Sequence, residues 1–523
     1  MEISDIYVEL KTNKESFPEV NRRVLKQLLE DNKDTEIGKR YGFSDIKDEK
    51  QYRDKVPISL YKDYAGYIRR MKNGETGLTT AYDLYCMLAT SGSTDEGKLI
   101  PITSKALGTY GDIMDRYLQE LVKDQGGKRL FISFLQTDLS QMPKMSDTML
   151  FTASYYRFLY ENDLLDIEDF AGEKVLNFFP KPCDFLYVKL WTAFAYEDLT
   201  SIESVYLYDF LVFFQYLEEH YDTILKDMES GKVSSDVRIP KEVKDKLESL
   251  DISSGRIEKI RSECSKGFDN IVERLWKSVK VVSGIGSKAF QTDEISIRKY
   301  IGNISVWHYI YAASEAVMAV PVGTDSYDYA ICPGNAYYEF YCEDEDRMYD
   351  PEELKEGDCY ELLLTTFSGL YRYATGDILK VMGFYGKIPV LRFVRRRNLV
   401  LNLAGEKTAM DVLDRAMRRL ASEMDSLVWQ YYFYEDYSRM PACYHGVIAM
   451  DDETNDNVGK RDYSKIFDGI LMELSRDYYE LRNLGSVATS KIEFVHKDDF
   501  MTSKEKRLGT AGQPKPQHIW RTK

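Results

Sequence analysis

A chain of 523 residues exceeds what one hydrophobic core ordinarily serves, so two or more domains are expected. Its 44% hydrophobic, 13% aromatic and 30% charged residues describe a globular protein and exclude a fibrous or disordered one. The formal net charge of −16 argues against nucleic acid as the main partner, and no run approaches the roughly 18 apolar residues of a membrane span.

The N-terminus, MEISDIYVELKTNKESF, carries charges where a secretory leader needs an apolar run, so a cytoplasmic location is expected. The seven cysteines are scattered with no CxxC pair, which indicates neither a zinc ribbon nor a redox couple. Residues 18–31 place Val20, Val24, Leu25, Leu28 and Leu29 on one helical face. Further helices are predicted at Leu207–Met228, around Lys241–Leu250 and at Ala409–Met424. The apolar runs Arg129–Leu135, Val279–Ser283 and Trp307–Tyr311 read as buried strands. Strands alternating with helices suggest an α/β fold with largely parallel sheets. From Tyr329 to Phe384 the texture changes to successive strands, with Tyr337–Tyr341, Cys359–Thr366 and Ile378–Phe384 joined by acidic or glycine-bearing turns. A basic stretch, Arg395-Arg396-Arg397, follows, and the domain boundary is placed there: residues 1–395, then a smaller α/β unit of residues 396–523.

Three segments carry candidate chemistry. Thr90–Lys98, TSGSTDEGK, is small, hydroxylated and closed by a lysine, which suits a loop around the β- and γ-phosphates of ATP. It is not a P-loop, because Leu99 stands where that motif needs a hydroxyl for Mg²⁺. Read alone, such a stretch is more often a solvated turn. Tyr311-Ala312-Ala313-Ser314-Glu315 ends an apolar run with a carboxylate placed to hold Mg²⁺, or begins an amphipathic helix. In Gly369–Asp377, a tight Thr-Gly-Asp turn aims Asp377 at vicinal hydroxyls such as those of ribose, or Asp377 is an ordinary turn residue. The five histidines form no recognisable triad; His308, on the strand leading to Tyr311, is the one of interest.

In this order the three segments resemble those of the adenylate-forming superfamily, which includes acyl-CoA ligases and luciferase-like enzymes. The spacing from Ser91-Gly92 to Lys98 is kept, with Asp95 where glycine is usual and Gly97 where proline is common. A closer resemblance is to the auxin-responsive, jasmonate-amido-synthetase-like family of acyl acid amido synthetases. It rests on Asn32–Gly38, Tyr61–Tyr64 through Asn73-Gly74-Glu75, and Tyr360-Glu361-Leu362 through Thr365-Thr366. It continues in Gly369–Tyr373, Gly376-Asp377, Phe393–Asn398, Glu406-Lys407-Thr408 and Gly512–Pro516, so it covers nearly the whole chain.

The resemblance implies an adenylate-forming fold: a large N-terminal domain of β-sheets flanked by helices with a small β-barrel-like part, and a mobile C-terminal lid. It implies that Ser91, Gly92, Ser93, Thr94 and Lys98 contact the ATP phosphates, and that Ala312, Ala313 and Ser314 flank the nucleotide, with Glu315 on Mg²⁺. Asp377 would hold the ribose, Tyr371 and Thr375 would shape the adenine side, and Arg396 would meet the nucleotide at the hinge. Arg395 and Arg397 are read as solvated or structural. Lys515 matches the lysine that reaches the α-phosphate, with Pro514 where an aromatic residue is common. The implied substrates are a small-molecule carboxylic acid and an amine or amino acid, used by a monomer. A thioester-forming acyl-CoA ligase and a catalytically silent relative share these motifs and remain alternatives. The acyl pocket is expected from residues of about 110–190, including Phe131, Phe134, Tyr155, Tyr156 and Phe158, and from Ser283–Gly286, although aromatics there are more often plain core.

Overall fold

In the computed structural model of the protein, the described residues are 16–89, 99–107, 127–132, 148–149, 170–172, 174–177, 184–285, 291–397, 400–401, 403–404, 406, 408–424, 430–450, 461–496, 500 and 519–520. The N-terminal helix spans Phe17–Asn32 and buries Val20, Val24, Leu25, Leu28 and Leu29 along one face, as the periodicity requires. The Ser16 N–H donates to the Glu19 carboxylate at 2.5 Å and so satisfies one of the donors left open at the helix start. Asn21 then acts as a strand mimic. Its side chain accepts from the Tyr338 N–H at 2.9 Å and donates to the Tyr338 carbonyl at 3.0 Å, which ties the helix to the strand Ala336–Cys342.

Four strands, Lys128–Phe131, Leu199–Tyr206, Val281–Ile285 and Ser305–His308, pair in that order in a parallel sheet. Side chains alternate across it. Leu130, Ile202, Val282 and Val306 enter a core built with the helices Phe185–Ala195, Leu207–Ser230 and Ser254–Cys264. Phe131, Val205, Val281 and Trp307 enter a second core on the opposite face. Both faces are covered, which explains why these strands read as continuous apolar runs. The helix Leu207–Ser230 turns Phe210, Phe213, Phe214, Leu217, Ile224 and Leu225 inward, and each such side chain contributes about 1.5–3 kcal/mol by leaving water.

The largest sheet departs from the expected parallel arrangement. Its eight strands are all paired antiparallel, running from the edge Arg347–Tyr349 through Cys359–Thr366, Tyr373–Tyr385 and Ile388–Arg396 to the far edge Tyr311–Ala312. Tight connections between sequential strands favour antiparallel pairing, and that succession was visible in the turn-rich texture of this region. The two edge strands do not pair with each other among the described residues, so the barrel-like part expected from sequence is an open sheet.

In the C-terminal region a further sheet of four strands has the order Lys491–His496, Cys443–Met450, Gln430–Asp436, Ile519–Trp520. The helices Met410–Met424 and Tyr463–Leu474 pack on one face of it. Their core draws on Leu413, Leu420, Phe433, Ile448, Phe467 and Leu471 and, among the described residues, takes none before Leu401. No helix of the described residues is long and apolar enough to cross a membrane.

Candidate nucleotide and acyl-transfer site

The predicted strand Trp307–Tyr311 is split. Ser305–His308 belongs to the parallel sheet, and after Tyr309, whose N–H donates to the Gly284 carbonyl at 3.1 Å, the chain crosses into the antiparallel sheet as Tyr311–Ala312. This crossing lies beyond the carboxyl end of a parallel strand, where open α/β sheets place their ligands. Ala312 pairs with Val317, and the Ala313 N–H donates to the Ala316 carbonyl at 2.9 Å. Ser314 and Glu315 therefore form the tip of a tight hairpin, not the start of a helix. Tyr311 through Glu315 are all half-buried at that tip.

Thr375-Gly376-Asp377 is a bulge inside a long strand and not the turn expected from its composition. Glu361 pairs with Ile378 and Leu363 with Ala374, so Leu362 alone faces three residues. Gly376 adopts φ +78°, a left-handed conformation that glycine takes without a Cβ penalty. The Thr375 hydroxyl donates to the Leu362 carbonyl at 2.8 Å and accepts the Asp377 N–H at 3.1 Å, closing the bulge from within. Beneath it lies Glu361, 2% exposed, which accepts the Gly376 N–H at 3.1 Å. Burial raises the Glu361 carboxyl above its ordinary range, opposed by the nearby Arg397 guanidinium.

The bulge and the Tyr311 hairpin meet directly. The Tyr311 hydroxyl donates to Asp377 Oδ2 at 2.6 Å, and Asp377 is only 5% exposed. A buried carboxylate needs such donors, because desolvation without them is costly.

Tyr371 occupies another place than the one expected for it. It is fully buried, its ring 4.9 Å from that of Phe43, and its hydroxyl donates to the Thr79 carbonyl at 2.9 Å. Burial pushes its phenol well above the ordinary value. The preceding loop is equally committed. Gly369 has φ +85°, and a Cβ there would meet Thr79 Oγ1 at 2.5 Å. Arg372, at φ +46°, is held by Glu339 at 3.0 Å and by the Val56 carbonyl at 2.8 Å.

The same loop reaches the first motif. Thr80 and Thr103 both donate to the Phe367 carbonyl, at 3.3 and 3.2 Å. Thr103 ends the strand Leu99–Thr103, which pairs antiparallel with Leu84–Ala89 so that Ala89 faces Leu99. The Leu99 N–H donates to the Tyr61 hydroxyl at 3.1 Å. The strands bracketing residues 90–98 are thus anchored to the loop that leads into the Asp377 bulge. Ser91, Gly92, Ser93, Thr94, Lys98 and Lys515 themselves lie outside the described residues, as do Phe134, Tyr155, Tyr156 and Phe158 of the expected acyl pocket. Phe131, another expected pocket residue, sits in the second core. The backbone of Arg396 is described and pairs with Asp377.

Arg397, read from sequence as solvated or structural, is tied to this site. Its N–H donates to the Gly376 carbonyl at 2.6 Å, and its Nη2 lies 2.5 Å from Glu361 Oε2, off hydrogen-bond geometry, as a charge pair. Sequence reasoning passed over Glu361 and the Tyr311 hydroxyl. The only available signal was a carboxylate in an otherwise apolar strand, Tyr360-Glu361-Leu362-Leu363-Leu364.

Residues 7–306 match the GH3 family N-terminal domain and residues 329–396 the GH3 family central domain. Indole-3-acetic acid-amido synthetase GH3.3 of Arabidopsis thaliana is 26% identical over 481 residues, covering 86% of this chain and 79% of that protein. The solved structure of AtGH3.15 acyl acid amido synthetase in complex with 2,4-DB superposes with a TM-score of 0.84 at 22% identity, covering 98% of this chain and 93% of that one. A 2-hydroxyisobutyryl-CoA ligase in the postadenylation state shares the fold more distantly, with a TM-score of 0.55 at 10% identity over 96% of this chain and 89% of that one. The matched domains span well over half of the sequence, and the chain belongs to the GH3 family.

Proposed function

We propose that the protein is an ATP-dependent acyl acid amido synthetase. It adenylates a carboxylic acid with release of pyrophosphate, then passes the acyl group to an amino acid or another amine with release of AMP. The observation that carries the reading is the Tyr311–Asp377 hydrogen bond of 2.6 Å, which joins two separate motifs in a chain of the GH3 family. Curated relatives named as indole-3-acetic acid-amido synthetases support the amide-forming outcome.

In this reading Asp377 accepts the vicinal ribose hydroxyls, and Ala312, Ala313 and Ser314 flank the base. Ser91, Gly92, Ser93, Thr94 and Lys98 surround the β- and γ-phosphates. Thr375 and Tyr371 act from beneath, by fixing the bulge and its loop. Arg396 stands beside Asp377 across the strand pair. Glu315 offers the hard carboxylate oxygen that Mg²⁺ prefers, and the ion would neutralise phosphate charge. The substrate carboxylate attacks the α-phosphorus in line and pyrophosphate departs, while Lys98 and Lys515 offset the developing charge. The amine nitrogen then attacks the acyl carbon, AMP leaves with the bonding pair, and the ammonium proton is lost. Residues through Arg397 form the adenylating unit and the remainder a lid that turns between the half-reactions to keep water from the anhydride. The continuity of the large sheet to Arg396 supports drawing the boundary after Arg397. The acidic, charge-rich composition supports a cytoplasmic monomer.

The test is ATP–pyrophosphate exchange with Mg²⁺ across aliphatic, aryl and indolic acids, followed by product mass with an amino acid panel. Acid-dependent exchange and an amide product are expected. In Lys515→Ala, adenylation slows more than acyl transfer from a supplied adenylate. Acid-dependent exchange that yields thioester with coenzyme A and no amide with any amine overturns the proposal.

A further inference from the structure

Gly376 is held from both sides, by Glu361 of one neighbouring strand and by Arg397, one residue past the end of the other. Its N–H goes to Glu361 Oε1 at 3.1 Å, its carbonyl accepts the Arg397 N–H at 2.6 Å, and Arg397 Nη2 closes the circuit on Glu361 Oε2 at 2.5 Å. The Gly376 carbonyl and the Asp377 N–H belong to one planar peptide unit, so displacing Arg397 tilts the residue that carries the Asp377 carboxylate. The other side of that unit is fixed by Thr375 Oγ1 at 3.1 Å. Arg397 also directly follows the strand Ile388–Arg396, the last strand of the large sheet in chain order, and so stands where the chain leaves that sheet for the C-terminal one.

We propose that Glu361 and Arg397 form a latch that couples nucleotide binding at Asp377 to the orientation of the C-terminal unit. This rests on the reading that Asp377 holds a nucleotide ribose. Glu361 is a positioning residue: it acts through Gly376 and Arg397 and not on the substrate. A neutral amide in its place would still accept the Gly376 N–H, so the charge serves Arg397. Buried charge is costly unless paired, which gives the pair a reason to stay closed. The charged and titratable groups facing Glu361 are Arg397, Glu343 and Asp377. Arg397 also lies 3.8 Å from Glu343 and 5.4 Å above the ring of Tyr341, which sits on the strand paired with that of Glu361. Because burial raises the Glu361 carboxyl, acidification neutralises it early and opens the latch.

The test compares wild type, Glu361→Gln, Arg397→Met, the double variant and Arg397→Lys in the full chain. AMP affinity is measured by calorimetry, and hydrogen exchange of residues 398–409 is followed with and without AMP. Each single variant is expected to weaken AMP binding about tenfold, and the double variant by no more than either. Arg397→Lys restores part of the loss and carries the test should Glu361→Gln fail to fold. AMP slows exchange at 398–409 in wild type but not in Glu361→Gln. On acidification the wild-type affinity falls toward that of Glu361→Gln, and the ratio of the two affinities removes the titration of the AMP phosphate itself. Additive losses, or AMP protection that persists in Glu361→Gln, overturn the latch while leaving the nucleotide site standing. A wild type that binds no AMP overturns the nucleotide reading and the latch with it.

Discussion

The Tyr311 hydroxyl donates to Asp377 Oδ2 at 2.6 Å, joining residues 66 positions apart. One belongs to the hairpin where the chain leaves the parallel sheet, the other to a bulge in the largest antiparallel sheet. The bond therefore ties the far edge strand of that sheet to the bulge within it, close to the point where the chain arrives from the parallel sheet and Ser314 and Glu315 turn.

Tyr311→Phe keeps the ring and removes that donor. A hydrogen bond to a charged group is worth about 1.5–3 kcal/mol, so a rise of roughly 10-fold or more in the KM for ATP is expected, with the fold intact. Asp377→Ala removes the carboxylate itself and is expected to weaken ATP binding further. Exchange kinetics over a range of ATP concentrations check both, and a normal KM in Asp377→Ala removes the ribose assignment.

Glu315 stands half-buried at the tip of a two-residue hairpin turn, and glutamine keeps its size and shape there. Glu315→Gln is expected to lower the exchange rate about 100-fold and to shift the Mg²⁺ requirement upward, with circular dichroism unchanged. If the Mg²⁺ dependence of the variant superimposes on that of wild type, Glu315 has no part in holding the ion.

Much of this was legible in the sequence where a single physical rule governs the local outcome. Val20 to Leu29 and the helix at Leu207 follow from apolar periodicity, and both appear with nearly the expected bounds. Trp307–Tyr311 misled because an apolar run carries no information about which sheet receives each residue, and the chain changes sheets within it. Thr375-Gly376-Asp377 has turn composition, yet the strand continues through it. The left-handed Gly376 and the Thr375 hydroxyl absorb the extra residues locally. Tyr371 was expected on the adenine side through the resemblance alone. Its burial against Phe43 is set by a segment more than 300 positions away, which no local pattern reports. Glu361 and Arg397 both lie in segments that carry the resemblance, but their pairing was not legible because it comes from strand register.

Arg129 and Glu203 form a buried bidentate pair in the parallel sheet, at 2.7 and 2.8 Å, with the Ser201 hydroxyl donating to Glu203 at 2.7 Å. Their side chains are 6% and 2% exposed, so removing one partner strands a charge in the interior. Arg129→Met or Glu203→Gln is expected to cost about 3–5 kcal/mol in denaturant unfolding. The paired change Arg129→Met with Glu203→Leu should recover much of that loss, because it strands no charge. Equal losses in single and double variants would show that the pair contributes through shape and not through charge.

Glu294 supplies the last expectation, a pH dependence. It faces the buried His308 at 3.3 Å, accepts from Arg298 at 3.0 Å and accepts from the Tyr327 hydroxyl. His308 is fully buried and stacks on Tyr327 at 4.1 Å, so it buttresses the strand end that feeds Tyr311. Burial by itself raises the Glu294 carboxyl, but His308, Tyr327 and Arg298 outweigh it and hold it down at about 2, against an ordinary 4.5. A carboxyl depressed in the folded state contributes stability that is present above its unfolded value and lost as pH falls through its folded one. The stability difference between wild type and Glu294→Gln should therefore be constant above a pH of about 5 and shrink between about 4.5 and about 2. Urea unfolding at several pH values measures it. A difference that stays constant down to a pH of about 2 would mean that Glu294 acts as a neutral acceptor, and the charge network around His308 would not be what fixes the approach to Tyr311.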